Sequence, residues 1–198
     1  MCSTVIIKYN AGNVFSVKCA LKRIGAEAVV TDDAEAIRNA DRVIFPGVGE
    51  ASTAMAYLRT RGLDELIKSL SCPVLGICIG MQLLCSHSQE GDTDCLGIFD
   101  VPVLRFDNSP NREMKIPQMG WNTISVRKGS FIPDECDQRY AYFVHSYYVP
   151  LCGYTAATAD YIQPYSAALQ RDNFYATQFH PEKSGRVGET ILKKFMEL

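Results

Sequence analysis

Short apolar runs alternate with stretches of helical spacing through the first half of the chain. Val5 to Lys8 is apolar and β-branched and predicts a first strand. Asn10-Ala11-Gly12-Asn13 then reads as a turn, and Val14, Val17, Leu21 and Ile24 fall at helical intervals before Gly25 stops the helix. Ala28-Val29-Val30 predicts a short strand and Asp33 to Asn39 a short helix. Arg42-Val43-Ile44-Phe45 predicts a buried strand that ends in Pro46-Gly47-Val48-Gly49. Helices over 50–60 and 63–70 lead to a fourth strand, Pro73 to Ile77, and a helix from Ile79 to about His87.

Continuous apolar strands alternating with helices predict an α/β fold, a parallel sheet covered on both faces. After Gly97 the texture changes. Val101 to Phe106, Trp121 to Val126, Arg139 to Val144, Tyr154 to Ala159 and Ser166 to Leu169 are strand-like with turns between them. A last strand, Phe174 to Phe179, runs into His180-Pro181-Glu182, and a closing helix spans about Arg186 to Met196. The 198 residues carry no internal repeat or obvious linker and suit a single domain, 1–198.

Composition adds exclusions. The net charge of −2 supplies no basic field for nucleic acid or an anionic membrane, and no apolar run approaches the length of a bilayer span. The N-terminus reads as a strand rather than a signal peptide. Eight cysteines are scattered without a CxxC pair or zinc-site spacing, so a reduced cytoplasmic protein without metal or cofactor is expected.

One cysteine stands apart. In Gly76-Ile77-Cys78-Ile79-Gly80 a strand feeds a residue flanked by glycine at i−2 and i+2, and a helix begins at once. That is the layout of a nucleophile elbow, in which a sharp strand-to-helix turn exposes the side chain at the sheet's carboxyl edge. A sulfur at a helix N-terminus favours thiolate, and the Ile79 amide is placed to donate to an oxyanion. Cys85, seven residues on along the predicted helix, has no elbow and is assigned to packing.

Three histidines compete for the role of base. His87, nine residues beyond Cys78 on the predicted helix, would lie about 13 Å away along its axis, too far for a hydrogen bond. His145 follows a strand and stays open as an alternative. His180 ends the last strand, and Glu182 two residues on can hold the far imidazole nitrogen and set the tautomer. Pro46-Gly47-Val48-Gly49 lies at the carboxyl end of a neighbouring strand, where ligands bind in open α/β sheets. Its glycines allow a peptide N–H to complete an oxyanion hole with Ile79.

Together PGVG, GICIGMQLL and FHPEK resemble the class I (triad) glutamine amidotransferases. With Asn10 to Asn13, Pro117-Gln118-Met119-Gly120-Trp121-Asn122 and Phe143 to Tyr147, the resemblance narrows to the glutaminase subunits of imidazole glycerol phosphate synthase. It implies a flavodoxin-like, doubly wound, mostly parallel sheet with helices on both faces, plus an antiparallel strand-rich segment in the second half. It also implies Cys78, His180 and Glu182 as triad, and Val48, Gly49 and Ile79 around the oxyanion. Glutamine would be held by Gly49, Gln82, Glu90, Ser146 and Tyr147. Asn13, Trp121 and Lys183 match positions that meet a (β/α)8-barrel cyclase in a heterodimer. For Trp121 a core position is the competing expectation. A further expectation is that the Val48 amide faces away from the oxyanion position at rest.

Competing readings remain: a paralogous glutaminase feeding another amidating synthase, a stand-alone cysteine hydrolase on the same scaffold, or a non-catalytic descendant. Leu104 to Lys115 is a few residues longer than a tight hairpin needs.

Overall fold

The apolar runs of the first half become strands because alternate residues of each serve two cores. In the strand Thr4–Ile7 (β1), Val5 and Ile7 pack on one side and Ile6 on the other. The computed structural model describes residues 3–9, 13–47, 49–109 and 113–198. After β1 come α1 (Val14–Arg23), β2 (Val29–Thr31), α2 (Ala34–Arg38), β3 (Arg42–Phe45), α3 (Ala51–Thr60), α4 (Leu63–Ser69), β4 (Val74–Ile77) and α5 (Ile79–Leu83). The second half supplies β5 (Cys85–Ser88), β6 (Thr93–Asp94), β7 (Phe99–Arg105), β8 (Gln118–Val126), β9 (Arg139–His145), β10 (Tyr147–Tyr148), β11 (Thr155–Asp160), β12 (Pro164–Arg171), β13 (Phe174–Thr177) and α6 (Gly185–Met196).

Among the described residues the main sheet has nine strands in the order β2-β1-β3-β4-β13-β12-β11-β8-β9. The first five are mutually parallel and carry the flavodoxin-like order; the remaining pairings are antiparallel. The sheet is therefore mixed. Residues of α2, α3, α4 and α5 join the core on one face, and residues of α1 and α6 join the core on the other. A smaller sheet, β10-β7-β5-β6, stands beside it.

Two expectations are corrected here. The helix after Cys78 ends at Leu83, and Cys85 and His87 lie on β5, which runs parallel to β7 with Cys85 opposite Phe99. Leu83, Leu84 and Cys85 are fully buried, so the chain leaves the helix where pairing with β7 satisfies the backbone inside the core. The distance argument against His87 therefore fails as stated. Its ring instead stands near Asp92 and Asp94, 3.2 Å from each. Within the long 104–115 connection, Asn108 donates to the Met114 carbonyl at 2.7 Å; residues 110–112 lie outside the described part.

Candidate active site

Parallel pairing of β4 with β13 sets Gly76 opposite Ala176 and Ile77 opposite Thr177, so the residues that leave the two carboxyl ends emerge side by side. Cys78 leaves the end of β4 and donates its N–H to the Thr177 carbonyl at 2.7 Å. Its backbone has φ 52 and ψ −108, a conformation that costs a non-glycine residue energy and turns the side chain out of the sheet, as an elbow requires. Both flanking glycines are needed because the turn is crowded. A Cβ at Gly76 would come within 2.9 Å of the Gly80 carbonyl, and one at Gly80 within 2.1 Å of the Phe45 carbonyl on β3.

His180 and Glu182 sit in the turn that follows β13, which α6 approaches closely. A Cβ at Gly188 would lie 1.8 Å from the Pro181 carbonyl, so only glycine lets the helix reach it. The His180 N–H donates to the Tyr142 carbonyl at 2.9 Å. Ser184 Oγ donates to the His180 carbonyl at 2.6 Å and accepts from the Tyr142 N–H at 3.0 Å, which fastens the turn to β9. His180 Nδ1 is 2.8 Å from Glu182 Oε1, and since a carboxylate only accepts, that nitrogen bears the proton. Nε2 is left free of hydrogen bonds and buried. Burial alone would pull the imidazolium down. Negative charge on Cys78 and on Glu182 outweighs it and carries the His180 pKa up to about 10.

His145 is settled as a different kind of residue. Its Nδ1 lies 2.7 Å from the Tyr147 carbonyl and so carries the proton, while burial pushes its pKa down to about 4. It is a neutral brace under residues 146–147, facing Tyr165 at 3.4 Å. Cys85 also follows its expectation: it is buried, donates to the Met81 carbonyl, and burial drives its thiol well above the ordinary value.

A cavity of about 300 Å³ opens at Cys78. Gly49, Ile79, Gln82 and Glu90 line it together with Pro117, Val144, His145, Ser146 and Tyr147. All five residues expected to hold glutamine are thus brought together around the sulfur. Gln82 is buried and donates to the Tyr147 carbonyl and to Gln178 Oε1, at 3.1 Å each. Glu90 accepts the Ala51 N–H at 2.9 Å, capping α3, and burial raises its pKa above the usual carboxylate range. Ile79 opens α5, so its N–H has no partner within the helix. Gly49 has φ 143. Val48 lies outside the described residues. Among those described, no group of three His, Cys, Asp or Glu side chains is placed to hold a metal ion.

Trp121 is not a core aromatic. It is 57% exposed on the outward face of β8, edge-on to Tyr142 across the β8–β9 pair. Met119 (67% exposed) shares that face, Phe15 on α1 is 79% exposed, and Lys183 Nζ lies 5.8 Å from the Tyr142 ring. Asn13 Nδ2 donates to Glu182 Oε1 at 2.6 Å.

Three contacts carried no sequence expectation. Tyr9 donates its hydroxyl to the Pro46 carbonyl, anchoring the loop after β3. Gln178 Nε2 lies 3.8 Å from Cys78 Sγ, and Gly188 admits α6 to the Pro181 backbone. The first two join residues 37 and 100 apart in sequence and left no local signal, whereas the third is local, and a glycine inside the closing helix was its signal.

A cysteine elbow beside a histidine–glutamate pair on a flavodoxin-like sheet defines the class, an α/β protein equipped for thiol-dependent acyl transfer. The chain belongs to the class-I glutamine amidotransferase family, whose model matches residues 5–198. It is 58% identical over 193 residues to the imidazole glycerol phosphate synthase subunit HisH of Bacteroides thetaiotaomicron, with 98% of each chain covered. It is 60% identical over 193 residues to that of Bacteroides fragilis, again with 98% of each covered. Within the family it therefore groups with the HisH subunits. A crystal structure of a glutamine amidotransferase, 21% identical, shares the fold at a TM-score of 0.74, over 98% of this chain and 97% of that one.

Proposed function

We propose that the chain, as one domain over 1–198, is the glutaminase subunit of an imidazole glycerol phosphate synthase, with Cys78, His180 and Glu182 as its triad. The observation that carries the reading is one cavity lined by Cys78 and by the five residues expected to hold glutamine, with the hydrogen-bonded His180–Glu182 pair electrostatically coupled to Cys78. Near-full-length identity to HisH subunits supports the choice of synthase.

The Cys78 thiolate attacks the carboxamide carbon of glutamine. Ile79 N–H, with the Val48–Gly49 segment, receives the oxyanion. Protonated His180 gives its Nε2 proton to the departing ammonia, leaving a glutamyl thioester. In that thioester the sulfur is uncharged, so the largest influence holding the proton on His180 is gone. Burial then favours neutral imidazole, which takes a proton from water as water attacks the thioester and releases glutamate. Glu90 meets the substrate α-ammonium, Gln82 braces the pocket wall, and the backbone at Ser146 and Tyr147 receives the α-carboxylate.

Ammonia passes to a (β/α)8-barrel cyclase that converts N'-[(5'-phosphoribulosyl)formimino]-AICAR-ribonucleotide to imidazole glycerol phosphate and AICAR. That partner docks on the face bearing Asn13, Trp121 and Lys183, where an exposed aromatic and a cation beside the triad suit a protein contact. The heterodimer works in the cytoplasm; no helix among the described residues is long and apolar enough to cross a membrane.

Ammonia release by the purified chain is expected to rise strongly when a histidine-pathway cyclase and its ribonucleotide ligand are added, and to vanish in Cys78→Ala. Robust activity indifferent to the cyclase would point to a stand-alone hydrolase instead. The pH profile offers a separate check. His180 must be protonated to release ammonia, and it loses that proton only as pH rises through about 10. The alkaline limb of kcat/KM should therefore fall near pH 10, and a limb near neutrality would contradict the ion pair.

A further inference from the structure

Asparagine is favoured just before a helix because its side-chain oxygen accepts an N–H of the first turn. Asn13 holds that position before α1 and does not use it so. It makes no side-chain cap and adopts φ 84, a left-handed conformation that asparagine tolerates. Its amide is turned away from its own helix and donates to Glu182 Oε1 at 2.6 Å, 169 residues away in sequence. The same oxygen accepts the His180 Nδ1 proton at 2.8 Å. The other oxygen, Oε2, is buried with no hydrogen-bond partner among the described residues. A buried carboxylate with a single donor could rotate and offer His180 either oxygen. With two donors converging on Oε1, its plane and its choice of oxygen are set. The donor is also neutral: a lysine or arginine there would draw the carboxylate's charge away from the imidazolium, whereas an amide leaves it in place.

We propose that Asn13 is a positioning residue for the triad, its amide fixing the Glu182 carboxylate that holds His180, so that Nε2 faces Cys78. This rests on the triad reading above and adds to Asn13 a role within the chain, distinct from any contact it makes with a partner.

Two variants and two readouts test it. Asn13→Gly removes the amide and is free of strain at φ 84. Asn13→Asp keeps the shape and sets a second carboxylate against Glu182. The first readout is glutamine turnover by the complex with its cyclase. The second is the pH dependence of Cys78 alkylation by iodoacetamide in the isolated chain, followed by peptide mass spectrometry so that Cys78 is read apart from the other thiols.

For Asn13→Gly, kcat should fall about tenfold with KM changed less than about twofold, the loss of one hydrogen bond to a charged group. A loosely held Glu182 supports the imidazolium less, so thiolate forms at higher pH and the alkylation midpoint moves up by about one unit. For Asn13→Asp, activity relative to the unmodified enzyme should recover as pH falls, because a proton shared between the two carboxyls restores a donor. A rise in KM at constant kcat with an unmoved alkylation midpoint would overturn the proposal and leave Asn13 a contact residue alone. If Cys78 in the unmodified chain proves no more reactive than the other cysteines, the triad reading fails and takes this proposal with it.

Discussion

Glutamine hydrolysis by a His180→Asn enzyme should fall by about four orders of magnitude in kcat/KM, the loss seen when a triad's base can no longer exchange its proton with the nucleophile. Neither remaining histidine is placed to take over. His145 already commits its Nδ1 proton to the Tyr147 carbonyl, and with a pKa near 4 it stays neutral throughout the working range. His87 stands in the second sheet beside Asp92 and Asp94. Asparagine is the informative replacement because its amide can still donate to Glu182, so a buried carboxylate is not stripped of partners and the fold is spared. Steady-state kinetics of the complex, with a melting curve to confirm folding, is the measurement. Activity within tenfold of the unmodified enzyme would mean that another group accepts and returns the proton.

The second large effect is steric. In Gly80→Ala the added methyl would sit 2.1 Å from the Phe45 carbonyl oxygen and 3.1 Å from its carbon, both backbone atoms of the central strand β3. No rotamer relieves such a clash, so either the elbow or β3 must move. We expect about 3 kcal/mol of lost stability, at the upper end for overpacking, from the urea midpoint. A displacement of the Cys78 sulfur and the Ile79 amide by about 1 Å should cost a further hundredfold in kcat. Gly153→Ala is the control: its Cβ meets nothing within 4 Å, and neither quantity should change. An unaltered midpoint and rate in Gly80→Ala would show that the approach of the elbow to β3 is not as tight as described.

The parallel half of the fold was legible because its strands are continuous apolar runs bounded by turn residues. Val5 to Ile7, Val43 to Phe45 and Val74 to Ile77 are buried on both faces, and such segments leave little choice of structure. The proposed triad was suggested for a related reason. A cysteine between two glycines at a strand end and His-Pro-Glu after the last strand are local patterns that carry their own geometry. What lies between was harder. Leu83-Leu84-Cys85 continues a helical apolar rhythm, yet the chain turns at Leu84 into β5, a choice made by β7 fourteen residues later. Tyr147–Tyr148 is too short a strand to announce itself. Trp121 could have faced either way, because a one-residue change of register across β8–β9 would exchange its inward and outward faces. The orientation expected of the Val48 amide falls on a residue outside the described part and stays a proposal.

The strand order has a consequence for how the enzyme comes into being. β13, near the end of the chain, lies between β4 and β12 in the interior of the main sheet. Cys78, the proposed nucleophile, is thus translated about a hundred residues before the proposed base, His180, which follows β13. Until that strand inserts, β4 has an open edge and Cys78 has neither His180 nor Glu182 beside it. A nascent or prematurely terminated chain that stops short of residue 174 lacks the proposed base and its partner as well as a central strand. A chain truncated before residue 174 is therefore expected to release no ammonia from glutamine.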